Sequence, residues 1–161
     1  MKYIMLVLCV SALSSCKQQT DNKQLQNRID SLEIQLANSY KPGFGELMSS
    51  IQTHHAKLWF AGQNENWRLA GFEVHEIMEV VEDIQKFQTE RKESQQIKMI
   101  HPSLDSISMA IEQKNPALFR SSYSLLTTAC NNCHRATDFD FNVVKIPDTQ
   151  SFSNQDFKIN K

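Results

Sequence analysis

Glycine and proline are scarce, four of each in 161 residues, and nearly all stand where one periodic segment gives way to the next. That scarcity excludes collagen-like and Gly/Pro-rich low-complexity architectures. An excess of charge of either sign is missing too. Seventeen Lys and Arg face eighteen Asp and Glu, a net charge of −1, so the chain has no basic footprint for nucleic acid. Long apolar runs are absent: the run from Tyr3 to Val10 falls far short of the ~20 residues that cross a bilayer as a helix. Cysteine is sparse as well, four in all, at positions 9, 16, 130 and 133. The length leaves room for one compact domain plus extensions, since domains cluster near ~100–150 residues.

What is present begins with a basic Lys2 followed by the short apolar run, the pattern of an export signal. Leu13-Ser14-Ser15-Cys16 follows and resembles the lipobox of bacterial lipoproteins, in which the cysteine is acylated and becomes the mature N-terminus. That resemblance implies a signal peptide over 1–15, lipidation at Cys16, and a domain held at the cell envelope by its lipid. Acyl chains burying ~0.8 kcal/mol per CH₂ anchor durably once more than one is attached. With Cys9 removed and Cys16 acylated, Cys130 and Cys133 are the thiols of the folded domain. A disulfide between them closes almost no loop and constrains the unfolded chain little, so a stapling role explains them poorly.

Residues 16–42 read as a lipidated N-terminus and stalk. Leu25, Ile29, Leu32 and Leu36 step by four, three and four, the rhythm of a short coiled coil. Two heptads are marginal for self-association, so the segment reads as a helical or partly disordered stalk that lifts the domain off a membrane, with a trimeric coiled coil as the alternative. Residues 43–136 show helical periodicity throughout. Helix A is expected from about Glu46 to Phe60, stopped by Gly62. Helix B is expected after the Asn64/Asn66 cap region, with Trp67, Ala70, Val74, Ile77, Val81 and Ile84 on one face. Helix C opens near Pro102, after a polar link, and helix D opens at Asn115-Pro116, an N-cap with proline at the first helical position. The expected fold is all-α, an antiparallel four-helix bundle preceded by a short helical or coiled-coil stalk. Residues 137–161 read as an irregular tail whose apolar run, Phe139 to Ile146, serves as a covering flap. The carboxylates of helix B, Glu73, Glu76, Glu79, Glu82 and Asp83, lack the Glu-x-x-His pairs of a di-iron bundle and read as a solvated acidic face.

The stretch with the sharpest chemistry is Thr127-Thr128-Ala129-Cys130-Asn131-Asn132-Cys133-His134. Cys-x-x-Cys-His is the attachment sequence of c-type haem. On the last turns of a helix, cysteines three apart face one side and can bond the two vinyl groups, while the adjacent histidine coordinates iron. A thioredoxin-like pair belongs instead at a helix N-terminus within a βαβ unit. A zinc site needs a fourth ligand from His54, His55, His75 or His101, and no second ligand pair at finger-like spacing exists.

A lone CxxCH closing the last helix of a four-helix bundle resembles the cytochrome c-prime family and its six-coordinate relatives, over roughly residues 44–136. The resemblance implies one covalently bound haem c, with Cys130 and Cys133 as thioether attachments and His134 as the proximal iron ligand. In the six-coordinate relatives a methionine early in the first helix binds iron, and Leu47-Met48-Ser49-Ser50 is similar to that segment, which makes Met48 the candidate distal ligand. His55, on the same stripe two turns on, is the alternative, and an open iron site lined by apolar residues is the third possibility. Arg135, Arg68 and Lys57 are candidates to meet the propionates. The resemblance further implies pairing into a homodimer through the first two helices.

Two functions follow as expectations. With both axial positions filled, the protein is a membrane-anchored monohaem electron carrier that serves a redox partner protein in the periplasm. With the distal position open, it binds or senses a diatomic gas such as nitric oxide. Enzymatic turnover, for instance of peroxide, needs a positioned distal acid–base pair, and helix A supplies no arginine for one, so the chain is not expected to be an enzyme.

Overall fold

The computed structural model describes residues 22–39 and 42–159. Among them every regular element is helical: α1 over residues 22–39, α2 Phe44–Gln63, α3 Trp67–Phe87, α4 Lys92–Gln96, a 3₁₀ turn Ile97–Ile100, α5 His101–Glu112 and α6 Pro116–Ala136. The all-α expectation holds. The predicted signal peptide and Cys16 lie outside the described residues. The chain divides into two units, Met1–Lys41 and Pro42–Lys161. In the first, α1 occupies the predicted stalk; in the second, α2 packs on α3, α3 on α5, α5 on α6, and α6 returns to α2.

Helix starts follow the side chains that cap them. Asn66 Oδ1 accepts from the Leu69 amide at 3.3 Å at the head of α3, and Asn115 Oδ1 accepts from Ala117 and Leu118 at 3.1 and 3.0 Å at the head of α6. Each bond satisfies amides that have no partner inside the helix. The helix ends are less expected. Glu65, Lys114 and Asp138 adopt φ values of 53°, 50° and 66°, the left-handed conformation that favours glycine. In each case the next residue reaches back to a carbonyl five positions earlier: Asn66 to Ala61, Asn115 to Ala110, Phe139 to His134. These are Schellman closures built without glycine.

Gly62 does not stop α2, as the sequence suggested. It lies buried within the helix, and a Cβ there would stand 2.1 Å from Phe119 Cζ. The glycine is therefore a packing device that lets the Phe119 ring lie against the α2 backbone. The link before helix C is also more structured than its polarity implied. It forms α4 and the 3₁₀ turn, and Ile97 and Ile100 are buried. Glu73 departs from the predicted acidic face. It is 1% exposed and accepts from His54 Nδ1–H at 2.7 Å, whereas His75 and Glu79 pair at the surface.

The core runs between the helices through Leu47, Ile51 and Leu58 of α2, Ile77 and Val81 of α3, Leu104 and Ile107 of α5, and Phe119, Tyr123 and Leu126 of α6. The tail is not loose beyond the flap. Phe157 is buried, its ring 5.6 Å from that of Phe60, and its carbonyl accepts from Asn66 Nδ2 at 3.3 Å.

Gly62→Ala is expected to lower the unfolding free energy by roughly 1–3 kcal/mol, the usual cost of overpacking. Gly71→Ala, whose new methyl would meet only Ile111 Cγ2 at 3.9 Å, should raise it by about 0.5–1 kcal/mol through helix propensity. Urea unfolding of the two variants checks both signs.

Candidate functional site

Where the start of α2 meets the end of α6, a cleft of about 240 Å³ is lined by Phe44, Met48, Ile51 and His55 from α2, Glu93 and Ile97 from the α4 region, and Cys130, Cys133 and His134 from α6. Phe139, Asn142 and Val144 of the tail complete it. Two thiols, two imidazoles and a thioether therefore share one largely apolar pocket. All five side chains singled out in the sequence for this role line it: Met48, His55, Cys130, Cys133 and His134.

The tail reaches this place because α6 ends in a reversal. Thr137 is the last residue before Asp138 turns left-handed, and the Phe139 amide donates back to the His134 carbonyl at 2.8 Å. Asn131, between the two cysteines, then fastens the returning segment. Its Oδ1 accepts from the Val144 amide and its Nδ2 donates to the Val144 carbonyl, both at 2.8 Å. That double clasp sets Asn142 where its carbonyl accepts from His134 Nδ1–H at 2.5 Å. With Nδ1 carrying the proton, Nε2 keeps its lone pair, the tautomer of a metal-ligating histidine with its outer partner in place. The predicted flap covers the cleft only in part. Phe139 and Val144 line the cleft, while Phe141 and Val143 are 78% and 70% exposed.

Both cysteines are free and half-buried. Burial pushes the Cys130 thiol up to about 12, with the neighbouring Cys133 adding to the rise, and burial raises Cys133 as well, with the nearby Glu93 carboxylate contributing. Reactive redox thiols require the opposite, a depressed pKa in an electropositive setting. Zinc is equally poorly served. Among the described residues no three His, Cys, Asp or Glu side chains gather closely enough to hold a metal ion. Of the candidate fourth ligands, His54 is held by Glu73 and His75 by Glu79.

His55 is present in the cleft wall but committed elsewhere. Tyr123 Oη lies 2.9 Å from its Nδ1 and 2.8 Å from its carbonyl oxygen, and its Nε2 lies 3.1 Å from Thr127 Oγ1. The Thr127 hydroxyl donates to the Tyr123 carbonyl at 3.0 Å, so its single proton is taken. His55 Nε2 must then be the donor to Thr127, while the single Tyr123 hydroxyl proton, donated to the His55 carbonyl, also lies within reach of Nδ1. Burial lowers the His55 pKa from 6.5 to about 4, keeping the ring neutral. Burial likewise raises Tyr123, again with Cys130 beside it. Met48 is half-buried, has no such hydrogen-bonding duty, and packs partly against the core.

Of the cationic candidates for propionates, none lines the cleft. Arg135 donates to Asn132 Oδ1, Lys57 lies over the Phe152 ring at 5.2 Å, and Arg68 sits in the first turn of α3, beside the far end of α2. Sequence reasoning missed Asn131, Asn142, Tyr123 and Thr127. Only the spacing of Tyr123 and Thr127, four apart on the face that carries the cysteines, held a signal. Compared with known proteins, the chain matches no family model, no curated protein and no solved structure.

The His55 environment predicts a pH dependence of stability. Its folded pKa lies below its unfolded value, so between about pH 6.5 and 4 the unfolded chain takes up a proton that the folded chain refuses. Stability therefore falls as pH falls through that window, by roughly 3 kcal/mol from this residue. Denaturant titrations across the window should show a steeper slope for the native chain than for His55→Gln.

Proposed function

We propose that this protein is a membrane-anchored monohaem c-type cytochrome that carries electrons in the periplasm, with residues 43–136 forming an antiparallel four-helix bundle around the haem end. The observation that carries the reading is the convergence of Cys130, Cys133, a Nδ1-protonated His134 and Met48 on one cleft. The donor set fits the group: two thiols one helical turn apart, an imidazole with a free Nε2, and apolar walls from Phe44, Ile51, Ile97, Phe139 and Val144. When bound, haem c supplies a one-electron couple whose potential its axial ligands and surroundings tune.

The chain's own residues have distinct tasks. Cys130 and Cys133 would hold the haem covalently to α6 through thioethers. Their raised thiol pKa values keep them protonated, and so slow to form a disulfide in an oxidising compartment, until attachment. The Asn142 carbonyl fixes the orientation of the His134 ring. Met48 offers its sulfur from the facing helix. His55 stays uncharged, held by Tyr123 and Thr127, and so would add no cation to the apolar pocket. His54 and His55 are both engaged, and that weighs against an acid–base role in peroxide chemistry.

A second reading keeps the same haem and leaves the distal position open for a diatomic gas. It is favoured by the packing of Met48 against the core, a duty that a methionine on an apolar helix face performs without any metal. Under both readings the N-terminal lipid at Cys16 holds the domain at the cell envelope.

The optical spectrum of the reduced, periplasmically matured protein separates them. The carrier reading expects a low-spin pattern unchanged by carbon monoxide, with a weak methionine-to-iron band toward the red when oxidised. Met48→Ala should abolish that band and open the site to carbon monoxide, while His55→Gln leaves the band in place. High-spin bands in the native protein that shift with carbon monoxide contradict the carrier and support the gas binder.

A further inference from the structure

Residues 22–39 form a helix with an exposed apolar stripe: among the described residues Leu25, Ile29, Leu32 and Leu36 are 58%, 44%, 56% and 75% exposed. A lone helix of this length is marginal in water, and burial of its apolar face is what stabilises such a segment. In heptad positions the stripe places Asn22, Ile29 and Leu36 at a and Leu25 and Leu32 at d. A β-branched residue at a with leucine at d favours two strands, and an asparagine at a fixes register.

The charges beside the stripe select an orientation. Arg28 falls at g and Glu33 at e, and in a parallel pair a g residue meets the e residue five positions on in the partner helix. Arg28 thus meets Glu33 of the other copy, and the symmetry makes the contact twice. An antiparallel pair would set g against g and e against e, confronting arginine with arginine and glutamate with glutamate. Among the described residues neither Arg28 nor Glu33 forms an ion pair within its own chain. Their polar neighbours are already satisfied: Gln26 donates to Asp30 and Gln35 to Ser31.

We propose that residues 22–39 are the pairing element for a second copy of this chain, forming a short parallel two-stranded coiled coil. This places dimerisation outside the helical domain rather than through α2 and α3, and it does not depend on the haem reading. Two heptads bind weakly, so the pair forms where the copies are held at high local concentration.

The test is disulfide trapping of the full chain in the cells that produce it. Leu25→Cys at the seam is expected to give a covalent dimer under mild oxidation, and Ile34→Cys on the outer f position, 63% exposed, is expected not to. In the Leu25→Cys background, Arg28→Glu should lower the trapped fraction about fivefold, given that exposed ion pairs contribute modestly each, and Arg28→Glu with Glu33→Arg should restore it. Four outcomes overturn the proposal: no trapping at Leu25→Cys, equal trapping at Ile34→Cys, linkage of Leu25→Cys to Leu36→Cys in mixed chains, or failure of the double charge swap to restore the pair. A Leu25→Cys thiol that stays unlinked yet shielded from a water-soluble reagent, as burial in lipid or in a different protein would produce, also overturns it.

Discussion

The hydrogen bond from His134 Nδ1 to the Asn142 carbonyl is the contact on which the rest of the cleft depends. An imidazole in the last turn of a helix has free choice of tautomer and rotamer unless something outside the helix holds it. Here the chain itself does so, because Asp138 accepts a left-handed backbone and turns the tail back over α6. Asn131 then bonds both polar groups of Val144. A residue between the two cysteines thereby controls the proton position on the histidine that follows them, and a structural clasp becomes an electronic setting.

A second constraint shapes the opposite wall. Three polar side chains, His55, Tyr123 and Thr127, are buried together, and burial without partners would be costly. Thr127 donates to the Tyr123 carbonyl and Tyr123 to the His55 carbonyl, and with the Thr127 proton so engaged His55 Nε2 is the donor to Thr127. The network ties α2 to α6 near the pocket, and burial holds His55 neutral, so it acts as a polar spacer between helices.

Much of the fold was legible because it rests on local rules. Asn66 and Asn115-Pro116 mark helix starts through side-chain caps, and the spacing of Val74, Ile77, Val81 and Ile84 marks the buried face of α3. What escaped depends on contacts between distant segments. Gly62 reads as a helix terminator until Phe119 is seen lying on it. Glu73 belongs to an acidic face until His54 reaches it from α2. Ile97 and Ile100 sit in a polar stretch too short to show a period. That Cys130, Cys133 and His134 of the CxxCH motif line one cleft was legible because their spacing sets them along one side of the last turns of α6. Asn131, an unspecified position inside the motif, and Asn142 carried no pattern, since a backbone carbonyl's role is set by where the chain folds and not by the side chain it bears.

The central claim is that Cys130 and Cys133 carry a porphyrin in covalent linkage. Intact mass spectrometry of the protein matured in a haem-competent periplasm and then denatured tests it most directly. The account predicts a chain heavier by one haem, with the addition lost when both cysteines are replaced by alanine. A mature, folded chain with the mass of its polypeptide and lipid alone would contradict it.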